Sequence, residues 1–188
     1  MKTHFMEEPH PYTGEELVSH WIYRNAGILG DAVAAFIGPC HVDISRMVDL
    51  EDVLNEDYIY SKNMLHFIIE LFGIPLEEGV VAQRLFSSIL QDRINAERGE
   101  LAVRRIGDDL FYQNTKKLSV SICTISPTSC LIHTGLNIDP AGAPVEAAGL
   151  GCDLGIEDAR SLANACMRIL ADEWQDIKRS TCKVKAVR

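Results

Sequence analysis

Residues 116–139 read KKLSVSICTISPTSCLIHTGLNID, and the fold is decided by how this stretch is parsed. Leu118, Val120 and Ile122 alternate with Ser119, Ser121 and Cys123. Such a period of two is the mark of a strand with two different faces. Ser126-Pro127-Thr128 has turn chemistry. A second alternation follows, with Leu131, His133 and Gly135 against Ile132, Thr134 and Leu136. The stretch therefore predicts two antiparallel strands joined by a tight turn. On a regular strand Lys117, Ser119, Ser121 and Cys123 share one face. Side chains that small leave room either for a ligand or for a closely packed helix.

Upstream, ELAVRRIG (100–107) and DDLFYQN (108–114) are further strand candidates, with a hairpin turn at Gln113–Thr115. MLHFIIELFG (64–73) is short, rich in Ile and Phe and ends in Gly73; helix and strand both suit it locally, with strand the favourite. DAVAAFIGPCHV (31–42) reads as a strand that bends at Gly38-Pro39. Helical patterns flank these strands. Thr13 and Glu16 have capping-box spacing, which predicts a helix over 13–27 stopped by Gly27. LEEGVVAQRLFSSILQDRINAERG (76–99) is a long helix with Val81, Leu85, Ser88 and Ile89 on one face and Gly99 as its stop. A last helix runs from about Ile156 to Ile177. Ile156, Ala159, Ala163, Cys166, Leu170 and Trp174 (or its neighbour Glu173) form its inner stripe. Residues 43–63 are polar, with room for one short helix and an acidic cluster of Asp49, Glu51, Asp52, Glu56 and Asp57. Strands grouped apart from helices indicate α+β: a mixed, largely antiparallel sheet with helices packed on one face. The expectation is a single domain over 1–188, with 1–12 and about 180–188 as irregular tails.

Composition narrows the function classes. Apolar residues make up 47% of the 188, enough for a sizeable core. The net charge of −9 disfavours nucleic acid as the main partner, because phosphate binding needs clustered Lys and Arg. No apolar run approaches a membrane span and the N-terminus lacks a signal-peptide core, so a cytoplasmic location is expected. None of the six cysteines has C-x-x-C spacing, which suits free thiols in a reducing compartment. A homo-oligomer is left open.

The candidate chemistry lies around the opening stretch. A lysine beside a hairpin turn commonly serves as a solvated edge charge. Lys117 differs from Lys116 in heading the small face, where it could meet a carboxylate, phosphate or acyl oxygen. His133 interrupts an apolar run. Gly135 weakens a strand unless something must come close. Asn137 ends the strand and could orient a ligand. Cys152, in a glycine-rich loop before a helix, is a candidate nucleophile or a plain thiol. Cys40, His41, His66 and His133 could in principle meet at a metal, but their spacing is irregular and no metal site is expected. No Gly-rich phosphate loop, G-x-S-x-G or H-E-x-x-H is present.

Two resemblances follow. RNAGILGDAVAAFIGPCHV, MVDLED, SKNMLHFIIELF and GLNIDPAGAPVEAAGLGCDLGI resemble the family called domain of unknown function 366, over most of the chain. More distantly, DDLFYQNTKKLSVSICT and SCLIHTGLNID are similar to the core of biotin protein ligases and lipoate ligases or transferases, a class II synthetase-like fold. Lys117-Leu118 matches that family's lysine and its neighbour, and Gly135-Leu136-Asn137 matches its G-[LI]-N motif. The second resemblance implies a pocket for a small acyl or carboxylate ligand of lipoyl, octanoyl or biotinyl type. Lys117 would hold the acyl oxygen. Ser119, Ser121, His133, Gly135 and Asn137 would line the pocket. Cys152 would partner Lys117 as in lipoyl transferases, with a carrier protein as acceptor. The biotin ligase nucleotide loop has no counterpart here, which leaves the cofactor unknown. It also supports the alternative of a non-catalytic ligand-sensing module. A metal-dependent hydrolase built on Cys40, His41, His66 and His133 is the third reading.

Overall fold

The computed structural model describes residues 1–55 and 58–187. Glu56 and Asp57 of the acidic cluster therefore lie outside the described residues. The chain runs β1 (Lys2–Phe5), α1 (Trp21–Ala26), β2 (Ala32–Val42), α2 (Leu50–Leu54), β3 (Ile59–Phe72), α3 (Leu76–Arg98), β4 (Val103–Ile106), β5 (Asp109–Tyr112), β6 (Lys116–Lys117), β7 (Ser119–Ile125), β8 (Ser129–Asp139) and α4 (Ala159–Cys182). A five-stranded sheet has the order β1-β2-β3-β8-β7, and β4-β5-β6 form a small second sheet. Every pair is antiparallel except β1 with β2.

Helices α3 and α4 cover one face of the large sheet. The large apolar residues of β2 and β3 drive this layer: Val33, Leu65, Phe67, Ile69 and Leu71 meet Phe86, Leu90, Ile94, Ala163, Cys166 and Leu170. Phe67 and Phe86 cross edge to face with centroids 5.0 Å apart. Burying one such ring contributes roughly 2–3 kcal/mol. The face that α3 buries is Ala82, Phe86, Ile89, Leu90 and Ile94, while Val81 is exposed. The expected stripe through Val81 was thus about one position off. Phe86 decides the orientation, being the largest apolar group on the helix.

Three expectations are corrected. Residues 1–12 are not a tail. Lys2–Phe5 pair parallel with β2, and the chain then follows the same edge through Met6 N–H to Ala35 O, His10 N–H to Ile37 O and Tyr12 N–H to Pro39 O. At the C-terminus α4 continues to Cys182, several residues past the expected end. The helix over 13–27 shrinks to α1. Glu16 does accept the Thr13 N–H at 2.8 Å, as a capping box would require. The turn then goes no further, because His20 adopts φ 64° and donates its backbone N–H to the buried Glu70 carboxylate at 2.7 Å. A charge-assisted bond to a buried carboxylate outweighs the small propensity gain of another helical turn.

The second face of the sheet carries its own cluster. Tyr12, Leu17, Trp21 and Ile22 cover Ala34, Phe36, Met64 and Ile68. Gly38 lets this segment lie close: a Cβ there would stand 2.0 Å from His10 O. The strand bends at this point through a register shift between Gly38 and Cys40. Among the described residues no helix is long and apolar enough to cross a membrane.

Candidate functional site

The opening stretch splits at Leu118. Gln113 and Asn114, at φ 50° and 65°, form the hairpin turn that returns the chain to β6. Leu118 then leaves the small sheet and β7 joins the large one. Leu118 packs into the helix-side core, but Val120 and Ile122 pack on the opposite face. The alternation is therefore broken. Ser121 and Cys123 meet α3 at Gln83 and Gly79, and Ser119 Oγ turns to the Leu110 N–H of β5. The small residues make room for a helix: a Cβ on Gly79 of α3 would lie 2.0 Å from Cys130 Sγ and 3.1 Å from Cys123 Sγ.

A cleft of about 380 Å³ opens on the other side of the same strands. Its floor is Val120, Ile122, His133, Asn137 and Met64, and Tyr12 closes one end. Residues 46–49, 58–60, 143–145 and 147 wall it. In β8 the residues at 133, 135 and 137 face the cleft, while Ile132 and Leu136 join the helix-side core. Gly135 keeps the floor low: a Cβ would meet Met64 Cε at 2.7 Å.

Lys117 lines this cleft, held on both sides by backbone. Its N–H donates to Glu146 O at 2.9 Å and its carbonyl accepts from Ala148 N–H at 3.0 Å. Asn137 Nδ2 donates to the same carbonyl at 3.3 Å, and Asn137 N–H donates to Leu118 O. Asn137 therefore positions the lysine backbone. The Lys117 ammonium pairs with Asp109 at 2.9 Å, both groups partly exposed. Burial pushes the Asp109 carboxyl up, and Lys117 only partly offsets this. A pair at this exposure contributes about 0.2–1 kcal/mol, weak enough for an incoming anion or carbonyl to share the lysine.

Ser119 and Ser121 border the cleft with their hydroxyls engaged elsewhere. Ser119 Oγ accepts the Leu110 N–H at 2.8 Å, and Ser121 Oγ accepts from Gln83 at 2.9 Å. Cys152 is exposed and is not among the residues lining the cleft. Its Sγ donates to Asp153 at 3.0 Å, and Asp153 pairs with Lys116 at 3.1 Å. Burial, the hydrogen bond to Asp153 and its charge hold the thiol above its usual value. Successive strand residues point apart, so the lysine on the Cys152 side is Lys116 and the lysine of the cleft is Lys117. The expected Lys117–Cys152 partnership is not brought together.

The four residues of the metal reading are also dispersed. Burial pushes the Cys40 thiol up to about 12, and His41 is exposed against Tyr60. His66 and His133 bond to each other at 3.1 Å. Among the described residues no group of three metal-ligating side chains forms. The structure adds residues that strand periodicity did not reveal. Tyr12 stacks on His133 with centroids 3.5 Å apart, and Asp108 and Asp109 line the cleft beside Lys117. The hairpin register could have found Asp109, since Phe111 stands opposite Lys117.

A largely antiparallel sheet with two long helices against one face is the biotin and lipoate ligase-like fold. A point mutant of biotin protein ligase from Aquifex aeolicus, in complex with biotin, superposes with a TM-score of 0.61. That match has 12% identity and covers 95% of this chain and 72% of that one. Ta0514, a putative lipoate protein ligase from T. acidophilum with bound lipoic acid, gives 0.57 at 10% identity, over 93% and 86%. At such identities the likeness is one of fold. The chain itself belongs to the family described as Domain of unknown function (DUF366), whose model matches residues 1–185. A protein of unknown function from Pyrococcus horikoshi is 35% identical with a TM-score of 0.90, over 100% of this chain and 99% of that one.

Proposed function

We propose that the cleft binds a small acyl or carboxylate compound, with Lys117 meeting its carboxylate or acyl oxygen. The observation that carries this reading is one lysine, fixed by Asn137 and the 146–148 backbone, at the polar end of a cleft floored by Val120, Ile122 and Met64. The lining also carries Arg46, Asp49, Asp52, Asp108 and Asp109, and a concave pocket where polar groups converge on apolar walls is the usual form of a small-molecule site. Two proteins of this fold hold biotin and lipoic acid, which supports a ligand of that size class. Asp109 beside the lysine favours a neutral acyl oxygen over a free carboxylate, which it would repel.

Titration calorimetry with biotin, lipoate, octanoate and their methyl esters tests the reading. For whichever compound binds, Lys117→Ala should weaken affinity at least tenfold. Equal affinity in the variant and the wild type would remove Lys117 from the site.

One observation favours binding without group transfer. The only nucleophile suggested by the resemblance, Cys152, lies outside the cleft with its thiol held protonated by burial and Asp153. A non-catalytic ligand-sensing module is the reading consistent with that placement. Incubation with octanoyl-adenylate and a lipoyl carrier domain, followed by intact-mass measurement, separates the two. Acylation of the carrier above the buffer rate would favour transfer.

A further inference from the structure

Beneath the cleft, the protons of one buried histidine pair can be assigned from geometry. His66 Nε2 lies 3.2 Å from Gly38 O, an atom that only accepts, so the proton of His66 is on Nε2. His66 is fully buried without a counter-charge and is neutral, so its Nδ1 is a bare lone pair. The 3.1 Å contact from His133 Nε2 to that Nδ1 must then be a donation from His133. A neutral His133 with its proton on Nε2 has an unprotonated Nδ1.

This nitrogen has no partner among the described residues. His133 is only 3% exposed, and it lines the cleft. Its ring cannot swing away freely. Tyr12 lies flat against one face with an interplanar angle of 7°. Rotation would also forfeit the bond to His66. The ring is thus held in place by its structural contacts, and its Nδ1, which is not one of the fully buried nitrogens left without a partner among the described residues, is an acceptor open to the cleft.

We propose that His133 Nδ1 accepts a hydrogen bond from the bound compound. On this view the cleft selects acyl ligands whose distal part carries an N–H or O–H donor (an amide, urea or hydroxyl) over purely hydrocarbon or dithiolane tails. The acyl half of this statement rests on the binding role proposed above; the donor half rests on the histidine pair alone. The selection comes from the penalty of covering this acceptor, and displacing the water that can reach it, with a ligand that has no donor, which is how hydrogen-bonding sites reject analogues.

A matched pair of acids with equal numbers of heavy atoms tests it: 8-hydroxyoctanoate and nonanoate. Wild type should bind the hydroxy acid about tenfold more tightly, the effect of one buried hydrogen bond. His133→Phe should bring the ratio close to one. A wild-type preference for nonanoate, or an unchanged ratio in the variant, overturns the proposal. A second measurement needs no variant. Nitrogen-15 NMR of the wild-type imidazoles should show His133 unprotonated at Nδ1, and 2-imidazolidinone, which carries donors but no acyl group, should shift that signal. A protonated Nδ1, or no shift at a saturating concentration, overturns it equally. If 2-imidazolidinone shifts His133 while neither acid binds, the acyl reading fails and the acceptor stands.

Discussion

Strands β7 and β8 present two faces that differ in the way opposite to what their side chains suggest. The face with the smaller groups, Ser121, Cys123 and Thr134, is covered by Gly79 and Gln83 of α3, and only its Ser119–Ser121 end borders the cleft. The face with Val120, Ile122 and His133 is the open one. Room for a ligand comes from the lack of a covering element. The segment through Tyr12 and Trp21 shields the β2–β3 half of this face and ends before β7. Small residues record how near a neighbour comes, and close packing leaves no gap behind them.

The cleft side should carry the acid sensitivity of the fold, and this is the largest effect expected. Burial pulls His66 down to about 3 and His133 well below its ordinary value. Between about pH 6.5 and 3 the unfolded chain therefore binds more protons than the folded one, so stability falls as pH falls through that window. From pH 7 to pH 5 the loss should be about 2 kcal/mol or more, read as a fall in the urea midpoint. A midpoint unchanged between pH 7 and 5 would show that the pair is not held neutral.

The glycines of the two faces give the next contrast. Gly79→Ala puts a methyl group 2.0 Å from Cys130 Sγ in the closed layer, which outweighs the helical preference for alanine. A net loss of about 1–3 kcal/mol is expected, a fall in Tm of roughly 3–10 °C. Gly135→Ala is too close only to the end of the flexible Met64 chain, with Val120 and His133 at ordinary contact distance, so its cost should stay below about 1 kcal/mol while ligand affinity falls. Equal Tm losses for the two variants would erase the distinction between a closed and an open face.

The smallest effect concerns the side that neither face uses. Cys152→Ser should leave Tm within about 1 °C, because exposed sites away from packed features tolerate change. It should also leave ligand affinity unaltered. Alkylation of Cys152 by iodoacetamide at pH 8, followed by peptide mapping, should run slower than that of glutathione, since Asp153 keeps its thiol protonated. Faster alkylation would return Cys152 to the list of nucleophiles.

Much of this arrangement was legible before the coordinates. Alternation located β2, β7 and β8, Ile and Phe content pointed to β3, and glycines marked the ends of α1 and α3. Lys117, His133 and Asn137 were singled out from strand position, and all three line one cleft. The local signals failed where a distant group competed for the backbone. The Thr13–Glu16 box was real, yet Glu70, far along the chain, captured His20 and stopped the helix. Residues 1–12 carry no strand pattern of their own. They form an edge because β2 offers unpaired backbone groups to them.

The periodicity of 116–139 by itself determined that two strands lie side by side and that residues 133, 135 and 137 share a face. Strand geometry is local, and a period of two needs no partner to be read. Only the tertiary structure decided which face is covered, that the alternation breaks at Leu118, and that Lys117 and Cys152 lie apart. Those outcomes depend on where α3, the small sheet and the N-terminal segment come to rest. Their positions are set by buried area and hydrogen bonds between residues far apart in the chain, and no local pattern encodes them.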